Sequence, residues 1–280
     1  VRQAGEAQEG TIRAAVTQAV QAQVQDAVQA QEDTIRAGVT QAVQANAVDE
    51  ETDEIIRLHQ EDFPVLDYHV HLNGGLTKEV AARQSRWTGV NYGLAINCGI
   101  GFSITNDTEL YNYLDTMRTQ PFILAMQAEG REWVTTFSEA ARNSFDYVFT
   151  DAMTFLDHKG RLTHLWVNKE VIIDDEQAYM ERMFDRICSV LEEPVDMYVN
   201  SCFLPDAMSD RYDMFWTEER IDRFVNALAK SGKALEINEL YHIPNKAIIQ
   251  KAKAAGVKFT FGSNNITPEV GTLDYCIRMK

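Results

Sequence analysis

The stretch VLDYHVHLNGGLT, residues 65–77, ends an apolar run on His69 and His71 and then turns on Gly74 and Gly75. Side chains alternate faces along a strand, so the two imidazoles project from one side, at most about 7 Å apart. Two neutral imidazoles on one face are half of a common metal site; two capped or surface histidines are the other reading of the same letters. Asn73-Gly74-Gly75 is a turn that takes the chain out of a sheet. The segment TKEVAARQSRWTG (77–89) that follows reads as a helix.

This strand-then-helix unit recurs. Further β-rich runs are YGLAINCG (92–99), PFILAMQA (121–128), DYVFTDAM (146–153), VDMYVNSC (195–202), KALEIN (233–238) and VKFTFGS (257–263). Helical segments lie between them, such as TNDTELYNYLDTMRT, TEERIDRFVNALAKSG and PNKAIIQKAKAAG. Gly232 and Gly256 stand in stop positions, and Thr217 precedes two acidic first-turn residues as a cap. Seven strands alternating with helices predict an α/β fold, a parallel barrel or a doubly wound sheet, over residues 51–280. The longer excursion at 154–194 is expected to form a small hairpin or loop over one end of the barrel.

In a parallel barrel, chemistry collects where the strands end. The runs finish on His69 and His71, Asn97 and Cys98, Glu129, Asp151, Asn200, Glu236 and Asn238, and Asn264 and Asn265. Core packing does not require a polar residue at every strand end, so the pattern predicts a binding or catalytic mouth. Each member has a plainer role available: Glu129 as a helix-start charge, Asp151 as a loop cap, Glu236 as a partner for Lys233 or Lys258. His59, His158, His164 and His242 read as surface or loop residues.

The formal charge of −16 over 280 residues argues against nucleic acid or an anionic membrane as the main partner. A small anionic substrate is compatible with it if local cations such as Arg131 and Lys159 assist. Four scattered cysteines with no CxxC spacing read as free thiols. No run approaches the roughly 18 apolar residues of a membrane helix, and the start of the chain lacks a signal-peptide pattern. Cytoplasm is the default compartment, with export behind a cleaved signal as the alternative.

Residues 1–50 use a different alphabet, rich in Ala, Gln and Val and without Leu or any aromatic. TIRAAVTQAVQA (11–22) returns as TIRAGVTQAVQA (34–45), a duplication. Ile12, Val16, Val20, Val24 and Val28 recur every four residues, which predicts a helical extension with one apolar stripe. Such a stripe buries little area per residue, so it suits contact with another copy, a homo-oligomer; a solvated helical arm is the alternative.

DYHVHL on the first strand, AEGREW after the third and LEIN…IPNKAIIQKAKAAGVKFTFGSNN near the end resemble the PHP (polymerase and histidinol phosphatase) metal-dependent hydrolases over about 64–275. That resemblance implies a distorted seven-stranded (β/α)7 TIM-like barrel, divalent metals and phosphoester cleavage. It maps His69, His71 and Glu129 onto metal ligands. The chain departs from the family pattern at Asn97-Cys98, Asp151, Asn200, Asn264 and Ile266, and a neutral amide holds a cation less strongly than a carboxylate or imidazole.

The expectation is therefore a reduced site with one or two divalent ions (Zn, Mn or Fe) held by His69, His71, Glu129 and Asp151. Asp151 and Glu129 are the candidate catalytic carboxylates, and Arg131, Lys159, Asn200, Asn238 and Asn264 the candidate substrate contacts. The expected function is a metal-dependent phosphoesterase, with a catalytically silent binding barrel as the alternative. Amidohydrolase chemistry shares the HxH but requires an eighth strand and a metal-bridging lysine, neither of which has a place in this sequence.

Overall fold

The computed structural model describes residues 65–119, 122–157, 159–271 and 273–280. The extension expected over 1–50, and its role in self-association, lie outside the described residues. The chain divides into two compact units, Val1–Phe63 and Pro64–Lys280. The unit that holds the barrel thus begins at residue 64, later than the shift in composition at 51.

Seven parallel strands close into a barrel: β1 (Leu66–Val70), β2 (Asn91–Cys98), β3 (Ile123–Ala128), β4 (Tyr147–Thr150), β7 (Met197–Tyr198), β8 (Ala234–Asn238) and β9 (Phe259–Gly262). The order around the barrel is β1-β2-β3-β4-β7-β8-β9, and β9 pairs back onto β1 through Asp67 and Phe261. Closure leaves the barrel itself without a free edge strand. The seven-stranded α/β barrel read from the sequence is the fold observed.

The helices form where local chemistry favours them. Helix α1 (Lys78–Thr88) starts on Thr77, whose side chain accepts from the Val80 N–H, and stops on Gly89 at φ 72°, a left-handed geometry that suits glycine. Helix α2 (Asp107–Met117) is capped by Asn106. Two one-turn helices, α3 (Trp133–Thr136) and α4 (Glu139–Arg142), fill the third crossover.

The excursion holds more than the expected hairpin. Strands β5 (Thr154–Leu156) and β6 (Leu162–His164) do pair antiparallel. They are followed by α5 (Glu176–Val190), a 15-residue helix capped by Asp175. Its buried face, Tyr179, Met180, Met183, Phe184, Ile187 and Val190, packs into the main core with Ile221, Phe224, Val225 and Leu228.

After β7 come the short α6 (Asp206–Ser209) and α7 (Tyr212–Phe215), then α8 (Glu218–Ser231), capped by Thr217 and ended by Gly232. Helix α9 (Lys246–Ala254) starts on Asn245, and α10 (Asp274–Met279) follows β9. A smaller cluster of Ala95, Ala125, Tyr147, Phe149, Met197 and Val199 comes from the barrel strands. Phe149 packs 4.6 Å from the His69 ring, centroid to centroid, so this cluster underlies the polar mouth. Among the described residues, no helix is long and apolar enough to cross a membrane.

Candidate active site at the barrel mouth

The polar residues that end the strands converge. His69, at the end of β1, is fully buried, and His71 just beyond it nearly so. Their Nε2 atoms lie 3.1 Å apart. The partners on the far side of each ring decide what occupies that gap. His71 Nδ1 lies 3.2 Å from the Ala95 carbonyl oxygen, which only accepts, so Nδ1 carries the proton and Nε2 a lone pair.

His69 Nδ1 lies 2.6 Å from Glu236 Oε1. The other oxygen of Glu236 accepts from the Asn200 N–H and from Asn238 Nδ2, as a carboxylate does. A neutral His69 donating to Glu236 would therefore turn its lone pair toward that of His71. A proton or a cation between the two nitrogens relieves the repulsion. Gln127 Oε1, 3.2 Å from His69 Nε2, is the third heteroatom at this point.

Burial, the largest single influence, depresses His69, but Glu236 together with Asp67 and Gln127 outweighs it, and the net shift is upward. His71 is driven down to about 3, first by burial and then by His69 beside it. The close fit of Glu236 and His69 depends on Gly262, the last residue of β9. A Cβ there would collide with Glu236 Oε1 and stand 2.8 Å from His69 Cβ.

Glu129 and Asp151, both buried, stand at the same mouth. Glu129 accepts from Asn97 Nδ2 (2.7 Å), Gln127 Nε2 (3.0 Å) and the Thr154 hydroxyl (2.9 Å). Burial, and then the neighbouring Asp151, raise its pKa to about 8. Asp151 accepts from the Met153 N–H and from Asn200 Nδ2, both at 2.8 Å, and burial raises its pKa as well. Asn200 Oδ1 in turn accepts from Asn238 and Asn264. Asn200 and Asn264 both take φ 48°, a left-handed geometry that asparagine tolerates better than most residues.

The structure thus brings His71, Glu129, Asp151, Asn200 and Asn264 to one mouth, a cavity of about 200 Å³, with His69 fully buried beneath it and reaching it through His71. Asn238 is buried behind it, holding Asn200 and Glu236. The two expected cations lie elsewhere. Arg131 is engaged by Glu193 (2.8 Å) and Thr150 (3.0 Å). Lys159 is an exposed residue in the β5–β6 turn.

Gln127, Trp166 and Tyr241 also line the cavity and were not expected from the sequence. Gln127 had a signal, because it precedes Glu129 by two and so shares its face. Trp166 and Tyr241 follow their strands in loops and had none. His158 lies outside the described residues. His164 bonds Glu170 at 2.7 Å, and His242 stacks on Tyr275.

Among the described residues, no three His, Cys, Asp or Glu side chains converge as a ready metal cage. The fit to a cation rests on the two facing imidazoles and the Gln127 oxygen. That donor set suits a single ion better than a cluster.

No family model matches the chain, and no curated protein matches it. Solved structures do, at low similarity. One is titled as HPPK-DHPS in complex with substrates, with 11% identity, TM-score 0.34, and coverage of 77% of this chain and 50% of that one. A mannotriose complex of Thermomonospora fusca beta-mannanase shows 10% identity, TM-score 0.32, and coverage of 70% and 78%. A beta-mannanase from Streptomyces thermolilacinus shows 10% identity, TM-score 0.29, and the same coverage. This chain spans half the length of the first of these. The class defined by the fold is the parallel α/β barrel.

Proposed function

We propose that the chain is a metal-dependent hydrolase with its active site at this mouth. The observation that carries the reading is the pair of facing Nε2 atoms. Two imidazoles bound about 2.1 Å from one ion, at tetrahedral or octahedral angles, stand about 3.0–3.4 Å apart. The pair here is 3.1 Å apart. Glu236 and the Ala95 carbonyl fix both rings with Nδ1 protonated, an arrangement found behind metal-binding histidines.

A divalent ion held by His69 and His71 would lower the pKa of a bound water and polarise the bond to be cleaved. The protein's own share is positional. Glu129 is anchored by three neutral donors and Asp151 by two, and the carboxyl oxygens of each keep further lone pairs. These can accept from a water and hold it against a substrate. Burial of both carboxylates excludes bulk solvent from that contact.

A second reading, a barrel that binds without turnover, draws on the amides Asn97, Asn200 and Asn264 at the mouth. Calorimetric titration of the full chain with zinc and with manganese tests the first reading. One ion per chain is expected, with affinity falling at least 100-fold in His69→Ala and in His71→Ala. A wild-type chain that takes up neither ion sinks the proposal. Chelation that leaves hydrolysis of a generic ester or phosphodiester unchanged sinks the catalytic half of it.

A further inference from the structure

We infer that the mouth takes a small, uncharged, hydroxyl-rich ring, a monosaccharide or cyclic polyol held through a neutral acyl-ester or glycosidic bond rather than a phosphoester, so that the free ring is its hydrolysis product. The inference rests on reading the mouth as the active site.

Charge is the first ground. Glu129 and Asp151 line the cavity, and no described Lys or Arg does. Arg131 is committed to Glu193 and Thr150, and Lys159 is out on the hairpin turn. A phosphate group would meet two buried carboxyl groups with the ion held by His69 and His71 as its one cationic contact in the described lining, whereas a neutral hydroxyl brings no charge to be balanced there.

Hydrogen-bonding capacity is the second. Asn97 and Gln127 spend an amide N–H on Glu129, and Asn264 spends one on Asn200. Among the described residues, the Oδ1 atoms of Asn97 and Asn264 have no hydrogen-bond partner, and the carboxyl oxygens of Glu129 and Asp151 keep open lone pairs. The lining therefore offers open acceptors together with the second N–H of these amides, and a hydroxyl, which both donates and accepts, can use both. An amine brings donors too, but its positive charge would oppose an ion held by His69 and His71.

Shape is the third. Trp166 is 44% exposed on the rim of the cavity, where Leu240 and Tyr241 add apolar surface. The C–H face of a sugar ring packs against an indole while its hydroxyls reach the acceptors below. The cavity of about 200 Å³ is smaller than the roughly 300–1,000 Å³ of pockets for larger ligands.

The test is titration of the full chain, zinc-loaded, with the common aldohexoses, aldopentoses and inositols. Each is compared with its phosphate ester, and glucose with glucosamine, by calorimetry and tryptophan emission. At least one neutral ring should bind, and its phosphate ester at least tenfold more weakly. Trp166→Ala, a change at an exposed position, should weaken the neutral ligand at least tenfold without altering thermal unfolding. Ile266→Lys, which places a cation on the rim, should shift preference at least tenfold toward the ester.

Tighter binding of a phosphate ester or of glucosamine, binding indifferent to Trp166→Ala, or no binding by any neutral ring overturns the inference. Zinc uptake without sugar binding defeats this inference alone. Sugar binding without zinc uptake, with unloaded chain in the same titrations, defeats the metal reading alone.

Discussion

At the scale of single residues, the site depends on contacts that look minor in the sequence. Glu236 never reaches the mouth cavity, yet it sets the His69 ring through a 2.6 Å hydrogen bond. Glu236→Gln keeps the size and removes the charge that orients the imidazole. It should cost about 10–100-fold in metal affinity, as the loss of such partners does elsewhere, measured by zinc titration; unchanged affinity would show that His69 needs no orienting group. Gly262→Ala should be worse, because the new methyl would collide with Glu236. Overpacking of this kind costs about 1–3 kcal/mol, to be read from urea unfolding alongside a reduced metal uptake. Wild-type stability in this variant would mean that Glu236 has room to move.

At the scale of elements, α5 is the part of the 154–194 excursion that a hairpin does not account for. Asp175 opens it, and apolar residues recur at the spacing of one helical face. The stretch lies within residues 154–194, where a small hairpin or loop is expected; the helix forms because its apolar face has the main core to pack against. Ile187→Ala should cost about 2–5 kcal/mol, since its side chain is fully enclosed by the core; a loss below 1 kcal/mol in denaturant unfolding would show that α5 is only loosely docked. Arg131 belongs to this scale as well. Both it and Glu193 are mostly buried, and Trp133 Nε1 shares the same carboxylate. Arg131→Met strands that carboxylate and should cost about 3–5 kcal/mol while leaving zinc affinity unaltered. Lost affinity with retained stability would return Arg131 to the substrate contacts that the sequence suggested.

At the scale of the whole molecule, the barrel closes on itself through the pairing of β9 with β1, and its described cores draw only on residues from 65 onward. Deleting residues 1–48 should therefore leave cooperative thermal unfolding of the barrel in place. If the duplicated Val and Ile stripe joins copies, the same deletion should reduce the assembly to a monomer in sedimentation; an unchanged oligomeric state would exclude that role for the arm.

Sequence alone determined the fold class, because strand and helix periods, caps and stop glycines are written into neighbouring residues. It also located the mouth, since each apolar run stops on a polar side chain. Tertiary structure decided what those side chains do. His69 and Glu236 are 167 positions apart and meet only because β8 and β9 close the ring against β1. The same closure separates the roles of residues that looked alike in the chain: Asn238 falls behind the cavity, Asn264 lines it, and Arg131 faces Glu193. Local patterns reflect the backbone's own periodicity; the pairing of charges and lone pairs across a barrel depends on which strands become neighbours, and no single stretch encodes that.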